Sequence, residues 1–225
     1  MSAAPFTVAL LGGESTGKSS LAQALLEHLT PAHGPRAVRV PEHLRGWCEL
    51  HGRAPHQHEQ ASIAAAQTAA IAAARATPGV QVVVADTTAL MVAAYSEQYF
   101  NDTTLWPQAL ANHATVDLTL LMGLDLPWVA DGLCRDGPAA RQATDTLLRA
   151  RLEQAGISFQ TIYGTGQARV SQALRALGVA MGRPLLAQDP FWEQGRRRWN
   201  CEKCSDPECE HRLFRDLIAQ RQPPT

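Results

Sequence analysis

The chain has 225 residues, which is room for one α/β domain and a short appendage. Its formal net charge of -1 excludes a broad basic footprint for nucleic acid, and no apolar run is long enough to cross a bilayer. The start, Met1-Ser2-Ala3-Ala4-Pro5, lacks the basic-then-apolar order of a secretory leader. With 5 cysteines and no export signal, a reducing cytoplasmic setting is expected, where clustered cysteines point to metal before disulfide.

In chain order, residues 6–11 predict a strand and 18–29 a helix. Residues 31–35 are a break, 37–40 a second strand, and Pro41 to Trp47 a loop at the ligand end of a parallel sheet. Residues 51–58, with His51, His56 and His58, read as a polar loop, and 59–76 as an alanine-rich helix. After the Pro78-Gly79 turn, Val80 to Ala85 is a buried strand closed by Asp86. A helix over 88–99, a strand over 116–122, a helix over 139–154, a strand over 157–163 and a helix over 166–178 complete the alternation. Strands alternating with helices predict an α/β fold, a parallel five-stranded sheet with helices on both faces, and the G-x-x-x-x-G-K-[ST] run from Gly12 to Ser19 makes it of the P-loop NTPase, nucleoside-kinase-like type. The alternation stops near residue 184, so one α/β domain over 1–184, the one that holds the phosphate loop, and a tail over 185–225 are expected.

The stretch Gly12-Gly13-Glu14-Ser15-Thr16-Gly17-Lys18-Ser19 fits G-x-x-x-x-G-K-[ST], and Ser20 follows it. It stands between the first strand and the first helix, the context that makes it a phosphate loop. Its glycines permit a tight turn whose N–H groups meet phosphate oxygens at a helix N-terminus. Lys18 is placed to reach the β- and γ-phosphates of ATP, and the Ser19 hydroxyl to ligate Mg²⁺.

Asp86, at the end of an apolar strand, can hold the same Mg²⁺; alternatively it caps the helix that follows. Glu42 and Arg45, after the second strand, suit a base or anchor for an acceptor hydroxyl and a clamp for substrate or phosphate, with a surface ion pair as the alternative. Arg135 and Arg141 flank Asp136-Gly137-Pro138 and can neutralise charge at a transferring phosphoryl group, or simply form a solvated basic loop. Trp47, Tyr95 and Tyr99 can line an aromatic pocket, and Gln67 can hydrogen-bond an amide or base edge; packing is the alternative for each. Gly164-Thr165-Gly166 offers a weak signal for close approach of an adenine ring.

These pieces together resemble the P-loop nicotinamide riboside kinase family, the kinase domain of NadR-type NAD-salvage proteins. The resemblance rests on the phosphate loop, Glu42-x-x-Arg45, Gln67, Asp86-Thr87, Asp117-Leu118-Thr119-Leu120-Leu121 and Trp128-Val129-Ala130-Asp131-Gly132-Leu133, over roughly residues 6–180. The last segment is the most specific. The resemblance implies transfer of the ATP γ-phosphate to the 5′-hydroxyl of nicotinamide riboside. It implies Lys18 and Ser19 on ATP and Mg²⁺, and Glu42 and Asp86 at the metal or ribose with Glu42 a candidate base. It also implies Arg135 and Arg141 as candidate lid residues, and Gln67 with the aromatics at the nicotinamide end. Cys134 stands where the family's arginine is expected. No H-x-G-H occurs, so a nucleotidyltransferase activity is not expected of this chain.

The tail carries Cys201-x₂-Cys204-x₄-Cys209-x-His211, a donor set suited to a closed structural Zn²⁺ site, with Asp206 as a substitute ligand. A tail of this length has little core, so metal would fix its fold. Arg196-Arg197-Arg198 beside Trp199 supports a second reading: an ATP-binding regulatory protein whose zinc tail grips nucleic acid or a protein partner. The short basic run and the near-neutral chain weigh against it. The expected partner is therefore a small molecule, with homo-oligomerisation left open.

Overall fold

The computed structural model describes residues 4–30, 36–130 and 136–187. Five parallel strands, β1 (Phe6–Leu11), β2 (Ala37–Val40), β3 (Val82–Asp86), β4 (Leu118–Met122) and β5 (Gln160–Ile162), form one sheet in the order β2-β3-β1-β4-β5. Helices α1 (Lys18–Leu29), α2 (His43–His51), α3 (Gln57–Ala76), α4 (Ala89–Phe100), α5 (Trp106–His113), α6 (Pro138–Gln154) and α7 (Gly166–Ala180) connect them. This is the expected P-loop architecture.

The strands read as continuous apolar runs because both sheet faces are covered. Val8, Leu10, Val84, Leu120 and Met122 point to one face and pack against Leu21 and Leu25 of α1 and Leu174 and Leu177 of α7. Leu11 and Leu121 point the other way, against Leu90 and Met91 of α4 and Leu148 and Leu152 of α6. On that second face Val83 and Ala85 meet Ile71 of α3. The alternation follows from the two-residue period of a strand.

β1 lies at the centre, where the chain order reverses between β3 and β4, so a crevice opens beyond its carboxyl end. The register pairs Leu10 with Asp86 and with Leu120. The end of β3 therefore stands beside the start of the phosphate loop.

The structure corrects the predicted elements at four places. The stretch after β2 is the helix α2 rather than a loop, closed by Gly52 at φ 67°, whose N–H donates to the Cys48 carbonyl at 2.8 Å. His51 ends that helix and His58 lies in the first turn of α3, so the polar loop shrinks to the few residues between. Helix α5, opened by Pro107, fills a stretch with no predicted element. β5 has 3 residues, because the Ile157 N–H still donates to the Leu152 carbonyl of α6 and delays the strand.

Candidate active site

The phosphate loop leaves β1 at the buried Leu11 and enters α1 at Lys18. Gly12 (φ 145°), Ser15 (φ 55°) and Gly17 (φ 77°) have positive φ, which folds the loop back on itself. Gly13 is required for a different reason: a Cβ there would lie 3.2 Å from both Cγ and the carbonyl oxygen of Arg141. The Thr16 hydroxyl donates to the Gly13 carbonyl at 2.7 Å. Lys18 is nearly buried, and its Nζ donates to the carbonyls of Gly12 at 2.6 Å and Gly13 at 2.9 Å. The ammonium thus spans the loop. Ser19 is half-buried on the first turn of α1, and Ser20 faces solvent.

Asp86 is fully buried at the end of β3. Arg39 on β2 donates from Nη2 to Asp86 Oδ2 at 2.6 Å, while Asp86 Oδ1 has no hydrogen-bond partner among the described residues. The next residue, Thr87, is β-branched yet has φ 83°, and its buried hydroxyl is also without a partner among the described residues. A residue held in that region is costly and marks a turn fixed by its surroundings. The cap of α4 is Thr88, whose Oγ1 accepts the Leu90 N–H at 3.3 Å. Asp86 is therefore not the capping residue. Its orphaned oxygen and the Ser19 hydroxyl are the hard oxygen donors that Mg²⁺ prefers, so these residues fit the metal.

On the acceptor side, Glu42 is the half-buried N-cap residue of α2 and makes no side-chain capping bond. Arg45 is exposed one turn on. Gln67, 1% exposed, joins this turn to the Asp86 turn. Its Oε1 accepts the His43 N–H at 2.7 Å, and its Nε2 donates to the carbonyls of Pro41 and Thr87, each at 3.3 Å. The expected base- or amide-reading residue thus has its amide engaged with backbone on both sides. The Trp47 ring stacks on His51 with centroids 3.9 Å apart, and the Arg53 guanidinium lies 4.9 Å from its centroid. Trp47 and Tyr95 pack against the same apolar cluster, and the rings of Tyr95 and Tyr99 are 6.3 Å apart, with Tyr99 half-exposed.

Arg141, in the first turn of α6, is buried against the loop; its Nη1 donates to the carbonyls of Leu126 at 2.8 Å and Ser15 at 3.4 Å. The other expected arginine, Arg135, and the tail residues Cys201, Cys204, Cys209 and His211 lie outside the described residues.

Several residues absent from the sequence reading complete the site. Arg169 of α7 is buried and donates from Nη2 to the Thr16 carbonyl at 2.7 Å and from Nη1 to the Gly164 carbonyl at 2.9 Å. Burial lowers its pKa and the nearby Asp125 carboxylate partly offsets this; a guanidinium remains charged under such a shift. Asp125 Oδ2 accepts the Gly164 N–H at 2.6 Å, so one ion pair joins the phosphate loop to the Gly164 turn. A lone arginine on an amphipathic helix gives no signal of this from sequence.

A family model described as AAA domain matches residues 7–169. The Trifunctional NAD biosynthesis/regulator protein NadR of Salmonella typhimurium is 31% identical over 156 residues, 68% of this chain and 37% of that protein. A crystal structure of NadR protein in complex with NR superposes with a TM-score of 0.68 at 19% identity. One in complex with NAD and AMP-PNP gives 0.66 at 18%; in both, 82% of this chain and 52% of the other are covered. The chain thus spans about half the length of the solved chains, and less of the Salmonella protein. A match over residues 7–169, on a P-loop fold with the phosphate loop intact, places the chain in the AAA domain family, as a relative of the NadR proteins.

Proposed function

We propose that this protein is an ATP-dependent kinase that transfers the γ-phosphate to the 5′-hydroxyl of nicotinamide riboside, giving nicotinamide mononucleotide. The observation that carries the proposal is the orphaned Asp86 Oδ1 beside an intact phosphate loop. The solved relatives holding NR and an ATP analogue support the choice of substrates.

On this reading the loop amides and Lys18 hold the β- and γ-phosphates. Ser19 and Asp86 would hold Mg²⁺, which supplies charge neutralisation at the phosphates when bound. The acceptor hydroxyl gives its proton to a carboxylate, Glu42 or Asp86, as its oxygen bonds to the γ-phosphorus. The bond from that phosphorus to the β–γ bridging oxygen breaks, and ADP leaves with the electron pair. Arg141 adds positive charge near the loop, and Arg135 is proposed to act with it. Trp47, Tyr95 and Tyr99 offer aromatic surface for the pyridinium, a planar cation. Arg45 is proposed to meet substrate at the open edge of the site. Gln67 acts by holding the Glu42 and Asp86 turns rather than by touching the riboside.

The working unit is proposed to be residues 1–184, with Cys201, Cys204, Cys209 and His211 of the 185–225 tail holding Zn²⁺. The test of function is ADP release from Mg²⁺-ATP with and without nicotinamide riboside. Release that requires the riboside, with matching formation of the mononucleotide, is the expected result. Slow release that ignores the riboside and rises with DNA or RNA would instead support a regulatory ATPase.

A further inference from the structure

Glu14 is an odd residue for a loop that receives a triphosphate, since a carboxylate facing the phosphates would oppose them. It does not act as a free charge here. Its Oε1 accepts the indole Nε1–H of Trp128 at 3.0 Å and the backbone N–H of Gly137 at 3.0 Å. One oxygen atom therefore holds two points well separated along the chain.

Gly137 is the N-cap residue of α6 and has no side chain with which to cap it. Glu14 brings a hydrogen-bond acceptor to that helix N-terminus from outside the helix, taking up one of the N–H groups that a helix start leaves unpaired. The neighbouring Ser15 adds a second pair of contacts. Its Oγ accepts the Val129 N–H at 2.8 Å, and its carbonyl accepts from Arg141. The Gly13 backbone lies against Arg141 so closely that a methyl group would not fit without displacement.

From these contacts we propose that Glu14 is a positioning residue: it fastens the start of α6 and Trp128 to the phosphate loop, so that ATP in the loop and Arg141 are held in one fixed relation. The effect on turnover rests on the kinase reading above; the tether itself does not. Because both bonds go to a single oxygen, a glutamine carbonyl can replace it. The function is thus separable from the charge.

The test compares Glu14→Gln, Glu14→Ala and Trp128→Phe. The Trp128 indole N–H resonance, identified by its loss in Trp128→Phe, is followed by ¹⁵N NMR while Mg²⁺-ATP is added. In wild type and Glu14→Gln the resonance keeps its hydrogen-bonded position and responds to ATP. In Glu14→Ala it moves toward that of a solvated indole and the response is lost. For turnover, Glu14→Gln stays within about threefold of wild type, while Glu14→Ala loses at least about tenfold in kcat with little change in KM for ATP. An unshifted Trp128 resonance in Glu14→Ala overturns the proposal. So does a Glu14→Gln variant as slow as Glu14→Ala, since charge rather than the tether would then matter. If Glu14→Ala does not fold, Trp128→Phe carries the turnover test: a kcat several-fold below wild type supports the tether, and an unchanged one overturns it. A wild-type protein that leaves nicotinamide riboside unphosphorylated would sink the substrate assignment, and the indole resonances would still decide the role of Glu14.

Discussion

The guanidinium of Arg39 approaches Asp86 from one side only, with Nη2 2.6 Å from Oδ2, and leaves Oδ1 buried without a partner among the described residues. A buried carboxylate oxygen normally finds a hydrogen bond, so Oδ1 is suited to a metal ion or a proton donor that arrives with substrate. Asp86→Asn keeps the shape and removes the charge. It should lower turnover by about 10² to 10⁴, the usual range for loss of a base, and weaken the Mg²⁺ dependence of ATP binding. Activity within threefold of wild type would show that Oδ1 serves only the fold. Arg39→Met should leave Asp86 buried and unpaired. Because Arg39 is itself a quarter exposed, the cost should be about 2 kcal/mol, below that of a fully buried pair. Urea unfolding would measure it.

The ends of the strands and the phosphate loop were legible because their signals are local. Val82 to Ala85 is apolar and β-branched, and the loop has fixed spacings. The role of Gln67 was not legible, because its three partners are backbone groups on two other segments. Backbone groups leave no mark on sequence. Thr88 shows the same limit from the other side: Asp86 and Thr88 both suit a helix cap, and only the turn at Thr87 decides that Thr88 does it. Helix α5 was missed because its 8 residues are short for a periodic signal and open with Trp-Pro.

Gln67→Leu preserves volume and deletes every polar contact of the side chain. The His43 N–H loses its acceptor and the carbonyls of Pro41 and Thr87 lose their donor. Stranding buried groups costs about 1–3 kcal/mol each, but the Pro41 and His43 end of the site is open to water and will recover part of it. A loss of about 3 kcal/mol in unfolding free energy is expected. Turnover should fall together with a rise in KM for the acceptor and little change in KM for ATP, since the displaced turns carry Glu42 and Asp86. A variant whose ATP affinity alone suffered would place Gln67 elsewhere in the mechanism.

Lys18→Ala should bind ATP at least about tenfold more weakly, as expected for a lost charge-assisted contact, and should give no measurable phosphate transfer. Its fold should survive. The contacts that Lys18 makes with the Gly12 and Gly13 carbonyls are buried but stay within one loop, so their loss lowers stability without parting elements of the sheet. Calorimetric titration with ATP and a thermal melt separate the two effects.

For the tail, about one zinc per chain is expected after purification under mild reduction. Elemental analysis would measure it, and Cys204→Ser should lower it. Protein free of metal by that measurement would remove the zinc assignment without touching the kinase site.

The pH dependence of stability should carry the mark of His113. It is buried between two hydroxyls, with Nδ1 3.3 Å from Thr88 Oγ1 and Nε2 2.8 Å from Thr119 Oγ1. Burial pushes its pKa down to about 4 from an ordinary 6.5. The unfolded chain therefore takes up the proton first. Above pH 6.5 both states are neutral and His113 costs nothing. As pH falls from 6.5 toward 4, unfolding is coupled to proton uptake and stability drops, reaching a loss of about 3 kcal/mol below the folded pKa. Between pH 7 and pH 5 the loss should be about 2 kcal/mol. His113→Gln has no titrating ring but can still hydrogen-bond a hydroxyl, so it should be less stable at pH 7 and less sensitive to acid. Carboxylates contribute their own slope, which makes the difference between the two proteins the informative quantity. Parallel urea-unfolding curves across pH 7 to 5 would show that His113 is hydrated in the native state. Convergence of the two toward pH 5 is the expected outcome, while the native imidazole, still neutral there, leaves the Thr88 cap and the Asp86 turn unchanged.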